Sequence, residues 1–237
     1  MSDNLGRIIS TLLEGVPVTI QATLGGIALT IVLAFVAGLA LLSKSRTVRF
    51  ISRVYVEGFR GTSEVVQLFW LYFVLPALVG LQIVPLFAGV LVLGLNHGAY
   101  GAEIVRGAVQ SVPRAQFEGA VALSLGPMQR MTRVILPQAV VEMLPPFNNL
   151  FIQLLKSTAL LFFISAQEIT QKGEELRPAL PMNDLTVIYT VELVLYLLLA
   201  IAITVGMRAL ERMGARRLGR RPPPRRKTFA AADAGGI

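Results

Sequence analysis

The 237-residue chain contains no cysteine and only one histidine, His97. The absence of cysteine excludes disulfides and thiolate metal sites, and a single histidine cannot form a histidine cluster around a metal ion. Charged residues are also scarce, at 15% of the chain against 54% apolar residues, and they fall in clusters between long uncharged runs. A soluble surface needs charges spread along the sequence, so this composition predicts a polytopic membrane protein.

The uncharged runs are long enough to cross a membrane as helices, because about 20 mostly apolar residues span roughly 30 Å of hydrocarbon. No charged residue lies between Glu14 and Lys44, and the uncharged run between Glu64 and Glu103 is long enough for two crossings. We therefore predict an all-α membrane protein. Its five transmembrane spans are expected at about residues 16–42, 62–79, 84–105, 144–166 and 185–207.

These spans divide the chain into three regions. Residues 1–15 are expected to form an extracytoplasmic segment, residues 16–208 the transmembrane domain, and residues 209–237 a basic cytoplasmic tail. The turn between the second and third spans is expected where Pro76, Gly80 and Pro85 interrupt the apolar run. The tail contains the sequence RRLGRRPPPRRK, and its composition predicts disorder beyond about residue 216.

The distribution of positive charge predicts the orientation of the spans. Most of the 22 Lys and Arg residues lie between spans one and two, between spans three and four, or in the tail. Cytoplasmic loops collect positive charge, so we predict that the N-terminus lies outside and the C-terminus inside. Topology and anionic headgroups also explain the net charge of +8 better than a nucleic-acid partner does.

The segment between spans three and four, residues 107–142, is longer than a helix connection requires; we refer to it as the coupling loop. Ser111 is a potential N-cap, and the spacing of apolar residues predicts a short helix over 111–125. A second helix is predicted over 128–136, separated from the first by Gly126 and Pro127 and followed by Pro137. By pattern alone this helix pair is equally consistent with a lever that a partner pushes and with an amphipathic hairpin lying on lipid headgroups.

Residue identities favour the lever. The run EGAVALSLGPMQRMTRVILP resembles the cytoplasmic "EAA" signature of binding-protein-dependent ABC importer permeases, with Glu118, Ala120, Leu136 and Pro137 in register. Four further segments are similar to the polar amino-acid subfamily, which includes histidine, glutamine and arginine permeases. They are YVEGFRGT from Tyr55, QLFWLYFVLP from Gln67, GAYGAEIVRG from Gly98 and PPFNN from Pro145.

This resemblance implies a MetI-like type I importer fold and a non-catalytic permease subunit in the bacterial inner membrane. It also implies a second permease, homologous or identical, a cytoplasmic ATPase dimer and an extracytoplasmic solute-binding protein. No G-x-x-x-x-G-K-[ST] motif occurs, so ATP and Mg are expected on the ATPase and no cofactor on this chain. The residues expected to couple the spans to the ATPase are Phe117, Glu118, Gly119, Ala120, Ser124, Leu125, Gly126, Leu136 and Pro137.

Three departures from the family pattern affect this expectation. Ser124 occupies the usual glycine position of the signature, and Gly126 follows two positions later, so the turn is expected to be shifted. Gly119 replaces an alanine at the second signature position. Ser63 and Glu64 stand where the family commonly has proline and an apolar residue, so the entry to span two is expected to differ in shape.

Polar residues within the predicted spans are candidates for the solute pathway, because such groups normally face a bundle interior or an aqueous path. The candidates are Gln67, Asn96, His97, Glu103, Gln153, Lys156 and Glu192. Lys156 and Glu192 are expected at similar depth, either as a structural ion pair or as contacts for a zwitterionic solute. For Gln67 and Gln153 the partners are left open among each other, backbone and solute, and His97 is expected to be a hydrogen-bonded packing residue. Gly94, Gly98 and Gly101 are expected to allow close helix packing.

Two other classes of function were considered. A secondary transporter or channel not coupled to ATP also has buried ionisable residues, but it does not explain the long coupling loop. An intramembrane hydrolase lacks support, because neither H-E-x-x-H nor G-x-S-x-G occurs. Within the amino-acid subfamily, the segments RGTS, QLFW and NNLFIQLLKSTAL look similar to permeases for ectoine and hydroxyectoine. The resemblance implies an amino acid or an amino-acid-like compatible solute as the substrate, with ectoine and hydroxyectoine as candidates.

Overall fold

The computed structural model describes residues 2–217, and within this range the chain is helical without any strand. The α-helices are α1 (Ser2–Leu41), α2 (Arg46–Arg60), α3 (Glu64–Phe69), α4 (Leu75–Val79), α5 (Pro85–Ser111), α6 (Arg114–Ala122), α7 (Pro127–Arg130), α8 (Leu136–Ser157), α9 (Ile169–Leu176) and α10 (Met182–Arg217). A π-helical turn joins α3 to α4 (Trp70–Val74) and another joins α7 to α8 (Met131–Ile135). Short 3₁₀ segments follow α8 (Thr158–Ile164) and α9 (Arg177–Ala179). The predicted all-α class is confirmed.

Three helical stretches are long and apolar enough to cross a membrane: Asn4–Leu41, Pro127–Ile164 and Asp184–Arg216. The pair Arg46–Arg60 and Glu64–Val79 meets the same criteria together, with a bend of 104° between its halves. At 27 residues α5 is also long enough to span, at about 1.5 Å per residue, but its glycines and polar residues reduce its apolar character. The five predicted spans overlap α1, the bent pair, α5, the α7–α8 helix and α10. Five crossings stay a prediction.

The helix boundaries differ from the predicted limits of the spans. Residues 1–15 are not a separate element, because α1 runs without interruption from Ser2 to Leu41 and buries Ile8 and Leu12 against α9 and α10; their extracytoplasmic location stays a prediction. The predicted start of the second span, residue 62, falls in the break between Arg46–Arg60 and Glu64–Val79, which meet the criteria for a span only together. The part of the tail beyond residue 217 lies outside the described residues.

The centre of the bundle is α5, which packs along α1 and against α2 and α8. Its glycines make this close approach possible. A Cβ on Gly94 would lie 2.5 Å from Leu29, and one on Gly101 would lie 2.7 Å from Ala34. Both distances are too short for real Cβ contacts, so these glycines serve helix packing, as expected.

The segment after α8 folds back as α9, which docks between α1 and α10. The side chain of Glu168 is fully buried and caps α9 by accepting hydrogen bonds from the backbone N–H groups of Thr170 (2.9 Å) and Gln171 (2.8 Å). The Tyr196 hydroxyl donates a third hydrogen bond to it. Burial raises the pKa of the Glu168 carboxyl above its usual value, and these hydrogen bonds only partly oppose that effect. No pattern in the sequence predicted α9, which lies in a segment assigned to an outer loop.

Candidate functional site

The break in the second span exposes backbone groups inside the bundle, and amide side chains bind them. The helix stops at Arg60, and Ser63 is extended (φ −69°, ψ 131°) before α3 begins. The Gln67 side-chain amide donates hydrogen bonds to the carbonyl of Phe59 (2.9 Å) and to the hydroxyl of Thr62 (2.7 Å). Irregular backbone at membrane depth requires such partners, because lipid supplies none.

Asn96, near the middle of α5, completes this arrangement. Its side-chain amide donates to the Phe59 carbonyl (3.1 Å) and to the side-chain oxygen of Gln67 (3.0 Å). The question left open for Gln67 is thereby answered, because its partners are the backbone of the break and Asn96. Both residues hold the break in place, which also means that most of their hydrogen-bonding groups are already occupied.

Glu64 is the first residue of α3 and lies on the other side of the break. One carboxylate oxygen, Oε2, accepts a hydrogen bond from the Ser157 hydroxyl of α8 (2.9 Å). The other, Oε1, lies 3.5 Å from Nδ1 of His97 and has no hydrogen-bond partner. His97 is buried, and its Nδ1 also lies 3.1 Å from the carbonyl of Leu93. We name Glu64, Gln67, Asn96, His97 and Ser157 the polar bend.

Sequence reasoning did not include Glu64 among the candidate site residues. It is named there as the edge of an uncharged run and as a departure from the family pattern, although it lies inside the predicted span 62–79. An ionisable residue within a predicted span is the signal that identifies it. A 104° bend at this entry brings Glu64 against α5 and α8. The expected difference from the shape of other family members stays a prediction.

A polar face on α8 runs next to the polar bend. Asn149, Gln153 and Lys156 are four and three residues apart, so they share one side of the helix, and all three are exposed. No side-chain hydrogen bond or ion pair of Gln153 or Lys156 occurs in the described part of the chain. An exposed polar face on a membrane-spanning helix must meet a partner subunit or water, because lipid does not solvate it.

The expected pair between Lys156 and Glu192 is not formed. Lys156 points to the exposed face of α8, whereas Glu192 is buried and its carboxylate lies against Gly173 of α9. The two side chains therefore face different directions. Glu103 is also occupied, since its carboxylate accepts two hydrogen bonds from Arg106 one turn along α5 (2.6 and 2.8 Å).

The coupling loop contains one separate helix, α6. Phe117 packs against the core formed by the inner ends of α5 and α8, and Ala120 is buried on the same side. Glu118 and Gly119 are exposed, as is Leu123, at 75%. The exposed face therefore combines a carboxylate with apolar side chains and has no partner within the described residues.

Two predictions for this loop are wrong. Ser111 does not cap α6; it is the last residue of α5, and its hydroxyl donates to the carbonyl of Ala108. The second helix does not end at residue 136, because the helix that begins at Pro127 continues through Leu136 and Pro137 into α8. The coupling loop is thus one helix, α6, joined by a short turn to an extension of the fourth span. Gln138 of α8 also donates a hydrogen bond to Gln116 of α6 (3.2 Å).

The turn after α6 is not shifted. Ser124 itself adopts the left-handed conformation, with φ 55°. The N–H of Leu125 bonds to the carbonyl of Ala120 (3.1 Å), and that of Ser124 bonds to the carbonyl of Val121 (2.8 Å). This pattern is a Schellman motif, which normally has glycine at the left-handed position. Gly126 has φ −65° and begins the next helix, so it does not replace the glycine of the signature.

Comparisons with known proteins agree with this architecture. Residues 26–213 match the family described as the inner membrane component of binding-protein-dependent transport systems. Since the match covers most of the chain, the protein belongs to this family. Its members are membrane subunits of ABC transporters whose ATPase is a separate chain, so the polypeptide is a permease subunit and not an enzyme.

The relatives narrow the class to amino-acid importers. The chain is 44% identical over 213 residues to a probable amino-acid ABC transporter permease, y4tF, of Sinorhizobium fredii, covering 88% of this chain and 89% of that one. It is 33% identical to the L-cystine permease TcyB of Bacillus subtilis, covering 84% of each chain. A crystal structure of an amino acid ABC transporter with histidines superposes with a TM-score of 0.78 at 25% identity, covering 89% and 97%. The protein is thus the permease subunit of an amino-acid ABC importer in the inner membrane.

Membership in this family also defines the assembly in which the permease subunit works. Permeases of this family work with a second permease, a cytoplasmic ATPase and a binding protein, and they carry no cofactor of their own. Among the residues that the structure describes, no group of three or more His, Asp or Glu side chains is arranged to hold a metal ion. The alternative of a carrier or channel without ATP coupling is therefore discarded.

Proposed function

We propose that this permease imports a zwitterionic compatible solute of the ectoine type and that α6 transmits the movement of the ATPase to the spans. The observation that carries the proposal is the attachment of α6. Its inner side packs on the ends of α5 and α8, and its outer side presents Glu118 and Leu123 without a partner among the described residues.

The connection between α6 and the fourth span is short and continuous. Only four residues separate α6 from the helix that begins at Pro127 and runs through α8. A partner that pushes on the exposed face of α6 therefore moves α8 as a rigid extension, and α8 carries the polar face with Gln153 and Lys156. In the proposed orientation the N-terminus lies outside, which places α6 at the cytoplasmic surface where the ATPase binds.

The proposed solute pathway follows the polar bend and the exposed face of α8. Discontinuous helices at membrane depth are typical of solute sites in transporters, because their ends leave backbone and polar groups available near the midplane. The break between α2 and α3 meets this description, and Asn96 lies about halfway along α5 beside it. Glu103 is bonded to Arg106 and Glu192 is buried against α9, so we propose Lys156 and Gln153, which are exposed on α8, as the residues facing the solute.

Support for an ectoine-type solute comes from the sequence segments around these elements. RGTS spans the break, QLFW opens the second half of the bent span, and NNLFIQLLKSTAL carries the polar face of α8. Ectoine joins a carboxylate to a cationic amidine ring, so it presents both charges of an amino acid. A pathway with a cationic side chain at Lys156 suits the carboxylate of such a solute.

The test is transport by the assembled importer in proteoliposomes, with the co-encoded ATPase, binding protein and any second permease. We expect ATP-dependent uptake of labelled ectoine in preference to glutamine, histidine and arginine. Glu118→Lys should lower solute-stimulated ATP hydrolysis by about tenfold, which corresponds to about 1.4 kcal/mol of coupling.

The matched control is Glu211→Lys, the same charge reversal on α10. It should retain hydrolysis and uptake close to the wild type. Unchanged hydrolysis in Glu118→Lys would contradict the role of α6. Uptake of amino acids without ectoine would leave the importer class intact and reject the proposed solute.

A further inference from the structure

We propose that the carboxylate of Glu64 binds the positively charged group of the transported solute, an ammonium or a cyclic amidinium, at the break in the second span. This inference rests on the proposed function, because it requires the solute to pass the polar bend. It assigns a solute contact to a residue for which the structure shows no other countercharge.

The ionic surroundings of Glu64 are incomplete. Among the described residues, no Lys or Arg nitrogen lies within 4 Å of its carboxylate; the nearest ionisable group is His97, at 3.5 Å. The Ser157 hydroxyl satisfies Oε2, but Oε1 has no hydrogen-bond partner. A carboxylate within a membrane span is costly unless a cation or several donors stabilise it. Glu64 thus lacks an ionic partner, and a cationic ligand supplies one.

His97 does not provide the missing charge. Its Nδ1 lies 3.1 Å from the carbonyl of Leu93, and since a carbonyl only accepts, Nδ1 carries the hydrogen of that bond. The other ring nitrogen, Nε2, is buried and has no hydrogen-bond partner. A second hydrogen there would be a buried, unsatisfied donor on a cation, which is strongly unfavourable. The ring is therefore neutral and supplies no countercharge to Glu64.

The location of Glu64 makes it reachable from the proposed pathway. The Glu64 side chain is 20% exposed as a whole, although its Oε1 atom is itself buried, whereas the side chain of His97 is only 1% exposed. Ser157, which holds the carboxylate, follows Lys156 directly in α8, and Lys156 is exposed. A carboxylate and an ammonium are thus presented close to the same part of α8. A zwitterionic solute matches both, with its cation at Glu64 and its carboxylate at Lys156.

The experiment compares Glu64→Gln, Glu64→Asp and Glu57→Gln in the complete importer. Gln retains the size of the side chain and an acceptor for Ser157 but removes the charge, whereas Asp retains the charge. Glu57 is an exposed carboxylate on α2 outside the polar bend, so its replacement is the matched control. Uptake is measured with ectoine and glutamine at saturating binding protein and is normalised to the amount of assembled complex.

We expect Glu64→Gln to lower the uptake rate by at least about tenfold, equivalent to about 1.4 kcal/mol. Glu64→Asp should retain more activity than Glu64→Gln, and Glu57→Gln should match the wild type. A second readout is the thermal midpoint of the importer with solute but without binding protein, because a ligand that binds the folded protein stabilises it. Ectoine or glutamine should raise this midpoint in the wild type and in Glu57→Gln but not in Glu64→Gln. N-acetylglutamine, which lacks the cationic group, should not raise it in any variant.

Uptake by Glu64→Gln within twofold of the wild type would overturn the proposal, as would equal stabilisation of the wild type by N-acetylglutamine. If Glu64→Gln fails to assemble, Glu64→Asp, which retains the charge, decides. Uptake like that of the wild type supports the proposal, and a rate well below that of Glu57→Gln overturns it. Failure of the proposed function is distinct. If the wild type imports glutamine but no ectoine, ectoine is rejected as the solute, and the comparison of the Glu64 variants proceeds with glutamine. If uptake by the wild type does not depend on ATP, only the proposed coupling is rejected.

Discussion

Ser124 occupies a left-handed backbone position that favours glycine, although it carries a side chain. Its left-handed conformation (φ 55°) closes the end of α6, and the two Schellman hydrogen bonds depend on it. For residues other than glycine this conformation costs roughly 1–2 kcal/mol. We therefore expect Ser124→Gly to stabilise the protein by about 1 kcal/mol, measured as a higher thermal midpoint of the assembled importer.

The control for this prediction is Gly126→Ala. Gly126 has a negative φ, and a Cβ placed there meets nothing within 4 Å. Its replacement should change stability by no more than about 0.5 kcal/mol, because the loss at the helix start and the gain in the unfolded state nearly cancel. A large loss in Gly126→Ala together with no gain in Ser124→Gly would mean that the turn is built on Gly126.

The sequence identifies some residues of the candidate site but not the contacts between them, and the reason is geometric. Counting along a helix gives depth, so Lys156 and Glu192 were expected to meet. Depth does not give the direction in which a side chain points, and the docking of α9 directs Glu192 toward Gly173. Gln67 and Asn96 were identified because polar groups in apolar runs need partners. Their mutual contact depends on the bend, which the sequence does not reveal.

At the scale of helices, two prolines were misinterpreted for the same reason. Pro137 was expected to follow the end of a helix, and Pro76 was expected to mark a turn. Each lies inside a continuous helical run, two residues after a π-helical turn. The last N–H of each turn bonds five residues back, from Leu75 to Trp70 and from Leu136 to Met131. Because proline lacks an N–H and clashes with the preceding turn, a widened turn before it allows the helix to continue.

The broken second span yields a prediction about how its halves are held together. Gln67 and Asn96 bond to each other and to the Phe59 carbonyl. Replacing either with an apolar residue of similar size, Gln67→Met or Asn96→Leu, leaves partners buried without a hydrogen bond and should cost about 1–3 kcal/mol. The double variant should cost less than the sum of the two by about 1 kcal/mol, since the shared bond is lost only once.

Unfolding of the importer in detergent or nanodiscs gives the three free energies for this cycle. Gln153→Met is the control, because Gln153 is exposed on α8 and makes no side-chain hydrogen bond in the described part of the chain. Its effect on stability should remain within about 0.5 kcal/mol. Strictly additive losses for Gln67→Met and Asn96→Leu would show that the two amides do not act as one unit.

For the molecule as a whole, hydropathy and charge predicted the class and the order of the spans, because both depend on composition over long windows. The predicted arrangement of five spans agrees with the element order, although α1, the bent pair and the fourth span all begin earlier than expected. These errors have a common cause. Helices continue past the apolar run when they pack on other elements, as Ile8 and Leu12 of α1 do on α9 and α10.

The orientation of the whole molecule can be measured directly because the chain contains no cysteine. Single cysteines at Ser45, Ser124 and Ala179 report on the turn after α1, the turn after α6 and the segment after α9, and all three positions are exposed. With the N-terminus outside, a membrane-impermeant maleimide applied to right-side-out vesicles should label Ala179→Cys alone, because positive charge retains the other two turns in the cytoplasm. Permeabilised vesicles should show labelling at all three positions. Labelling of Ser124→Cys in sealed vesicles would place α6 outside, where no cytoplasmic ATPase reaches it, and would contradict the coupling role of Glu118 and Leu123 together with the predicted orientation.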